Sequence, residues 1–279
     1  MRKTPYEIIK EKSSNLIPAY LVDFLPRKWE KLGDVLIVKF PECLKEYKVE
    51  IARIYADVLK CKSVLEDVGG IRGELRVPEF RLIYGDEDTE TIHVENGIRF
   101  KLDPRKIMFS SGNKGERIRM ATISKEGEVV VDMFAGIGYF SIPMAVYSRP
   151  ERIYAIEKNP VAYRYLEENV VLNHVSDIVK PIFGDNRKVT PKGVADRVIM
   201  GYLKNPHLYL PYAIEALKGS GVIHYHEICP NELIPNRPVR RLKENAERYG
   251  MEVEIINIKR VKSFAPGVSH IVVDARLIR

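Results

Sequence analysis

Val129–Pro143 reads VVVDMFAGIGYFSIP, and three patterns follow one another inside it. Val129, Val130 and Val131 are a short run of β-branched apolar residues, the pattern of a strand buried on both faces of a parallel sheet. Asp132 closes that strand, Gly136 and Gly138 supply a turn, and Tyr139–Val146 has the apolar content of a packed helix. Glycines suit such a turn because they accept φ > 0 and let a ligand approach the backbone closely. The start of the following helix adds unpaired N–H groups and the positive end of a dipole. A G-x-G pair alone also fits an ordinary tight turn, so the reading depends on what surrounds it.

Downstream the same alternation repeats. Arg152–Glu157 (RIYAIE) is a second strand ending in an acid, 19 residues after Gly138. An acid at that spacing and at a strand tip is placed to accept hydrogen bonds from ribose hydroxyls. Pro160 opens a helix that runs to about Asn173. Ile178–Phe183 is a third strand, followed by Gly184, Asp185 and Asn186, whose polar groups can read an adenine edge. Each acid alone also reads as a solvated loop charge; Asp132, Glu157 and Asp185 at successive tips form a series. Asp196–Met200 and Gly221–Glu227 are further strands, with helices at Leu208–Leu217 and Asn236–Tyr249. Met251–Arg260 and Val268–Ala275 close the sheet around a loop from Lys262 to Gly267. His224 and His226 alternate along one strand and share a face, but no third ligand stands near them for a metal.

The 279 residues are 45% hydrophobic, enough for one large or two modest cores. The net charge of +7 favours a polyanionic partner. No run approaches the length of a membrane span and Met1–Lys12 is no signal peptide, so a cytoplasmic protein without a membrane partner is expected. Cys43, Cys61 and Cys229 lack metal-binding spacing and cannot all pair, which fits a reducing compartment and no structural metal. The chain has no glutamine and is rich in Lys, Glu and Arg, a composition met in heat-stable proteins. A monomer is expected.

Residues 1–90 read as a separate small α+β domain, and 91–279 as the domain that carries the chemistry. Thr4 with Glu7 makes a capping box and Pro5 takes the first helical position. Pro18–Leu25 reads as a short helix, Asp34–Phe40 as a strand and Pro41–Cys61 as one amphipathic helix; Ser63–Val68 and Glu74–Tyr84 supply more strand. Trp29, beside Arg27 and Lys28, either stacks on a base or packs against its own domain. Thr91–Leu102 is a hairpin announced by Asn96-Gly97. Met108–Arg117 (MFSSGNKGER) leads into a helix up to about Ser124. With Ser110, Glu116 and Arg117 it reads either as a lid over a bound molecule or as a linker.

DMFAGIGYFS, then AIEKNP, then FGDN resembles the nucleoside-binding half of class I S-adenosylmethionine-dependent transferases. An NAD-binding Rossmann domain usually has glycine directly after the strand, whereas Asp132-Met133-Phe134-Ala135 intervenes here. The resemblance implies a Rossmann-like α/β transferase domain with a small N-terminal α+β domain. It also implies S-adenosyl-L-methionine as cofactor, held by Ser110, Arg117, Phe134, Gly136, Glu157, Asp185 and Asn186. MFSSGNKGER, DMFAGIGYF, VIMGYLKNP, IHYHE and VKSFAPGVSH together are similar to the archaeal tRNA enzymes that modify the purine 3′ of the anticodon. That match runs from about Leu16 to the C-terminus.

Two branches share this architecture: guanine-N1 methyltransferases and wybutosine-synthesis aminocarboxypropyltransferases. The first branch carries an extra tRNA-docking domain, and this chain is expected to begin too late to hold one. The methyltransferases carry Asn-Leu-Pro at the fourth-strand tip, where this chain has Gly201-Tyr202-Leu203. Ser111-Gly112 stands where they have Pro-Arg, and Met108 where they have Tyr, while Glu116-Arg117 is retained. These departures favour transfer of a 3-amino-3-carboxypropyl group to C7 of 4-demethylwyosine in tRNA-Phe, near its anticodon. Gly201 is read as leaving room for a tricyclic base and Tyr202 as a ring to stack on it. Attack by carbon leaves a ring proton to remove, for which Glu116 and His226 are the catalytic candidates by position. Arg237, Arg240, Arg241, Lys259, Arg260 and Lys262 are expected to supply charge for tRNA, the alternative being a solvated helix face.

Overall fold

The computed structural model describes residues 3–279, which form two compact units, one ending at Ser111 and the other running from Gly112 to Arg279. In the first, α1 (Pro5–Ser13) begins with the capping box: Glu7 N–H donates to Thr4 Oγ1 at 3.3 Å and Thr4 N–H to Glu7 Oε2 at 2.6 Å. Pro18–Leu25 tightens to a 3₁₀ turn over Ala19–Phe24. A strand the sequence reading missed, β1 (Trp29–Leu32), pairs antiparallel with β2 (Val35–Val38). The long amphipathic segment divides into a 3₁₀ turn (Glu42–Tyr47) and α2 (Lys48–Leu59), which buries Ile51, Ile54 and Tyr55. From α2 the chain enters β3 (Ser63–Arg72), parallel to β2, and returns as β4 (Val77–Gly85) in the order β1-β2-β3-β4. Trp29 meets the ring of Tyr55 edge-on at 5.9 Å and packs on this core, so of its two readings the packed one holds. The hairpin β5 (Thr91–Glu95) and β6 (Ile98–Leu102) turns at Asn96 and Gly97, both at positive φ.

The second unit starts with α3 (Lys114–Met120), β7 (Val129–Asp132) and α4 (Ser141–Tyr147). It continues through β8 (Arg152–Glu157), α5 (Pro160–Leu172), β9 (Val179–Phe183), the short α6 (Asn186–Val189) and β10 (Ala195–Met200). Then come α7 (Leu210–Ala216), β11 (Leu217–Pro230), α8 (Asn236–Glu247), β12 (Glu252–Ala265) and β13 (Val268–Ile278). The seven strands lie in the order β12-β13-β11-β10-β7-β8-β9. β11, β10, β7, β8 and β9 are parallel, and β13 runs antiparallel between β11 and β12. This is the Rossmann-like α/β architecture implied by the motifs. The loop expected at Lys262–Gly267 is largely strand, because β12 pairs with β13 up to Ala265–Val268 and turns on Pro266-Gly267 alone.

Strand order reverses at β7. The chain winds outward through β8 and β9 on one side and through β10 and β11 on the other. The crevice between β7 and β10, at their carboxyl ends, is where ligands bind in such sheets. Val130, Val131, Val198, Ile199 and Met200 are buried beneath it. A rigid apolar floor therefore carries the residues at those strand tips.

Candidate functional site

Three acids close neighbouring strands. Asp132, at the end of β7, is fully buried; Ser141 Oγ donates to it at 2.7 Å and Phe134 N–H at 3.2 Å. Burial pushes its carboxyl up to about 6 against the pull of those donors. Glu157, at the end of β8, accepts Gly136 N–H on Oε2 at 2.9 Å and Asn159 N–H on Oε1 at 2.7 Å. Burial raises its pKa as well. Gly136 (φ 59°) and Gly138 (φ 98°) hold left-handed conformations, and a Cβ on Gly138 would lie 2.4 Å from Ile142 Cδ1. The turn is thus tied to the second acid across the sheet. A carboxylate has about four acceptor positions, and the backbone N–H groups of Gly136, Asn159 and Lys158 use three, so about one on Glu157 remains.

Asp185 follows β9 and caps α6, accepting Arg187 N–H at 3.0 Å. The Arg187 guanidinium forks onto the same carboxylate and pulls its pKa down to about 2. Asn186 is buried; its Nδ2 donates to the Met133 carbonyl at 3.0 Å, while Oδ1 is buried without a hydrogen-bond partner. An unpartnered buried carbonyl beside the glycine turn fits a ligand that brings an N–H, such as an adenine amine. With the glycines, Glu157 and this acceptor, the residues present fit a nucleoside.

Phe134 stacks on Tyr202 (centroids 4.9 Å, planes 11° apart) and meets Tyr209 edge-on at 5.1 Å. One face of Tyr202 is therefore covered by Phe134. The space beside Gly201 is also taken: a Cβ there would lie 2.9 Å from Phe140 Cε2, so the room read into that glycine holds the Phe140 ring. Phe140 in turn lies against His226, with ring centroids 5.5 Å apart. Arg117 is buried in α3, whereas Ser110 belongs to the first unit.

Glu116 is buried and takes the Arg119 guanidinium on both oxygens, at 2.5–3.1 Å. Lys259 Nζ lies 3.3 Å from Oε2 and His226 Nε2 4.0 Å from Oε1. His226 Nε2 is buried without a hydrogen-bond partner, Nδ1 faces His270 Nε2 at 3.1 Å, and burial pushes the imidazole down to about 3, so it is neutral. Beyond Arg119 stands a chain that sequence reading did not find. Arg119 Nη1 donates to Asp274 Oδ2 at 2.6 Å, and Asp274 Oδ1 meets His224 Nδ1 at 2.6 Å. His224 Nε2 lies 2.7 Å from Arg197 Nη1, and Arg197 forks onto Glu128 at 2.8 and 2.9 Å. The one signal in the sequence was Asp274 itself, a charge set within the apolar run of a strand. Among the described residues no group of three acids, histidines or cysteines is placed to hold a metal ion.

The basic face expected on α8 is partly turned inward. Arg237 Nε and Arg241 Nη1 each lie 2.7 Å from Oε1 of the buried Glu227. Lys259 faces Glu116, which leaves Arg240, Lys243 and Arg260 exposed.

Residues 91–256 match the family model of the TRM5/TYW2 methyltransferase domain, and residues 9–89 that of the TYW2 N-terminal domain. The chain is 51% identical over 252 residues to a tRNA(Phe) (4-demethylwyosine(37)-C(7)) aminocarboxypropyltransferase of Methanocaldococcus jannaschii, covering 90% of this chain and 98% of that one. It is 45% identical to the protein of the same name from Pyrococcus horikoshii, covering 97% and 96%. A crystal structure of P. horikoshii TYW2 in complex with MeSAdo superposes with a TM-score of 0.89 at 42% identity, over 98% of this chain and 99% of that one.

Proposed function

The chain belongs to the TRM5/TYW2 family, and we propose that within it this protein is an S-adenosylmethionine-dependent tRNA aminocarboxypropyltransferase of wybutosine biosynthesis. It transfers the 3-amino-3-carboxypropyl group to C7 of 4-demethylwyosine beside the anticodon of tRNA-Phe. The observation that carries this reading is similarity along nearly the whole length of two proteins of that name. At residue level it is supported by Gly201, where a polar side chain would otherwise meet a guanine edge.

The sulfonium of bound S-adenosylmethionine activates three attached carbons, and the one facing the nucleophile is transferred. The protein's task is then orientation, which is worth several kcal/mol. Glu157 takes a ribose hydroxyl on its remaining acceptor position. Asn186 Oδ1 accepts the adenine amine, with Asp185 capping the turn that presents it. Gly136 and Phe134 line the nucleoside, and Arg117 closes over it from α3. Residues 91–279 carry this chemistry and residues 1–90 attend the RNA.

As the new carbon–carbon bond forms at C7, the carbon–sulfur pair stays with sulfur and 5′-methylthioadenosine departs. The proton on C7 goes to Glu116, with neutral His226 behind it. Both are sealed in this form, so the tRNA base has to part α3 from its neighbours to reach them, and bulk water is kept from the proton being moved. Arg240, Lys243 and Arg260 face outward for phosphates, in a cytoplasmic enzyme acting as a monomer.

The test uses cofactor labelled separately in the methyl and carboxyl carbons, with tRNA carrying 4-demethylwyosine. Carboxyl label entering tRNA, with methyl label leaving in 5′-methylthioadenosine, is the expected result. Methyl label alone in tRNA would restore the methyltransferase reading.

A further inference from the structure

The buried chain from Glu128 to Glu116 alternates strictly between donors and acceptors. A guanidinium only donates, so Arg197 fixes His224 Nε2 as an acceptor and leaves the ring proton on Nδ1, directed at Asp274. Burial keeps His224 neutral despite Asp274 beside it. Asp274 accepts from His224, from both Arg119 nitrogens (2.6 and 3.2 Å) and from Asn257 Nδ2 at 3.3 Å. Arg119 then presents its remaining edge to Glu116. Counting Lys259, the formal charges of Glu128, Arg197, Asp274, Arg119, Glu116 and Lys259 cancel. Two guanidiniums interrupt the chain and do not release protons, so it cannot conduct a proton from one end of the sheet to the other. What it can do is hold one carboxylate in place.

We infer that Arg119, anchored on its far side by Asp274 and through it by His224, is the positioning residue that keeps Glu116 aimed for the ring proton. Asp274 and Glu116 share one planar guanidinium, so Arg119 cannot turn to follow either carboxylate without breaking its contacts with the other. Lys259 from β12 and neutral His226 from β11 also face Glu116, and neither offers two parallel donors. This inference rests on Glu116 acting as the base, as proposed above.

The experiment measures single-turnover kcat against pH with the full chain and 4-demethylwyosine tRNA, for wild type, Arg119→Gln and Arg119→Lys. Cofactor affinity is followed by calorimetry. For Arg119→Gln the acid limb of the profile is expected to move upward by about one pH unit, because an opposite charge beside the carboxylate is lost. At neutral pH kcat falls about tenfold or more and recovers at higher pH, while KM and cofactor affinity stay near wild type. Arg119→Lys, a point charge able to serve one carboxylate well, lies between. Loss of activity by the same factor at every pH, or an unmoved acid limb, overturns the inference. If Arg119→Gln does not fold, the Arg119→Lys profile decides in the same way. Failure of the underlying reading is separate: Glu116→Gln would then turn over at the wild-type rate.

Discussion

Asp132, Glu157 and Asp185 close β7, β8 and β9 one after another, and the protein treats them as three different groups. Asp132 is sealed beneath the glycine turn with a hydroxyl and one backbone N–H for partners, and its carboxyl titrates near 6. Glu157 is raised too, but spends part of its acceptor capacity on the turn itself. Asp185 sits outermost, held near 2 by the Arg187 guanidinium. Moving outward across the sheet, desolvation gives way to pairing as the dominant influence. A carboxylate at equivalent strand ends thus becomes a buried brace, a proposed ligand acceptor and a helix cap.

The largest expected effect concerns Asp132 and pH. Its carboxyl is protonated in the folded protein below about 6, whereas an unfolded chain releases that proton near the ordinary value. Between those points the folded state binds more protons, so this group's contribution is fully present in acid and lost as pH rises through about 6. A carboxyl raised that far corresponds to about 3 kcal/mol. Urea unfolding of wild type and Asp132→Asn should therefore diverge in the variant's favour on going from pH 4 to pH 7. Parallel curves would make Asp132 no different from an exposed acid.

Glu157→Ala should weaken S-adenosylmethionine binding by about 1.5–3 kcal/mol, the cost of losing charged hydrogen bonds. Unchanged affinity in calorimetry would remove Glu157 from the site and collapse the distinction between the second and third acids. Asp185→Ala should be the mildest for the ligand, since Arg187 already occupies that carboxylate. Its main cost is the lost cap of α6, about 1 kcal/mol in thermal unfolding. A fall in cofactor affinity as large as that of Glu157→Ala would show that Arg187 yields its partner to the ligand.

Strand ends were legible in the sequence because period and turn residues are local signals. Arg152–Glu157 has the bounds its residues suggested, and the 19-residue step to Glu157 placed that acid beside the glycines. Side-chain pairing across the sheet was not legible. Arg119 and Asp274 are 155 positions apart, Arg197 and Glu128 69, and His224 and Asp274 50, so no local pattern joins them. Helix α8 misled for the same reason. Its arginines form a charged run, but the carboxylate that claims two of them lies on a different element, ten residues before Arg237. Lys262–Gly267 looked like loop because Pro266 and Gly267 dominate its composition, while the pairing that extends β12 comes from the partner strand.

The ring of Phe140 against Gly201 bears on how the two branches of the family are separated in evolution. An asparagine at Gly201 would bring its Cβ to 2.9 Å from that ring, so the substitution requires the Phe140 ring to shift. Phe140 also covers His226, and a change there uncovers a buried imidazole. Replacement at the fourth-strand tip is coupled to position 140, and ancestral sequences that made the crossing between branches should show positions 140 and 201 changing together.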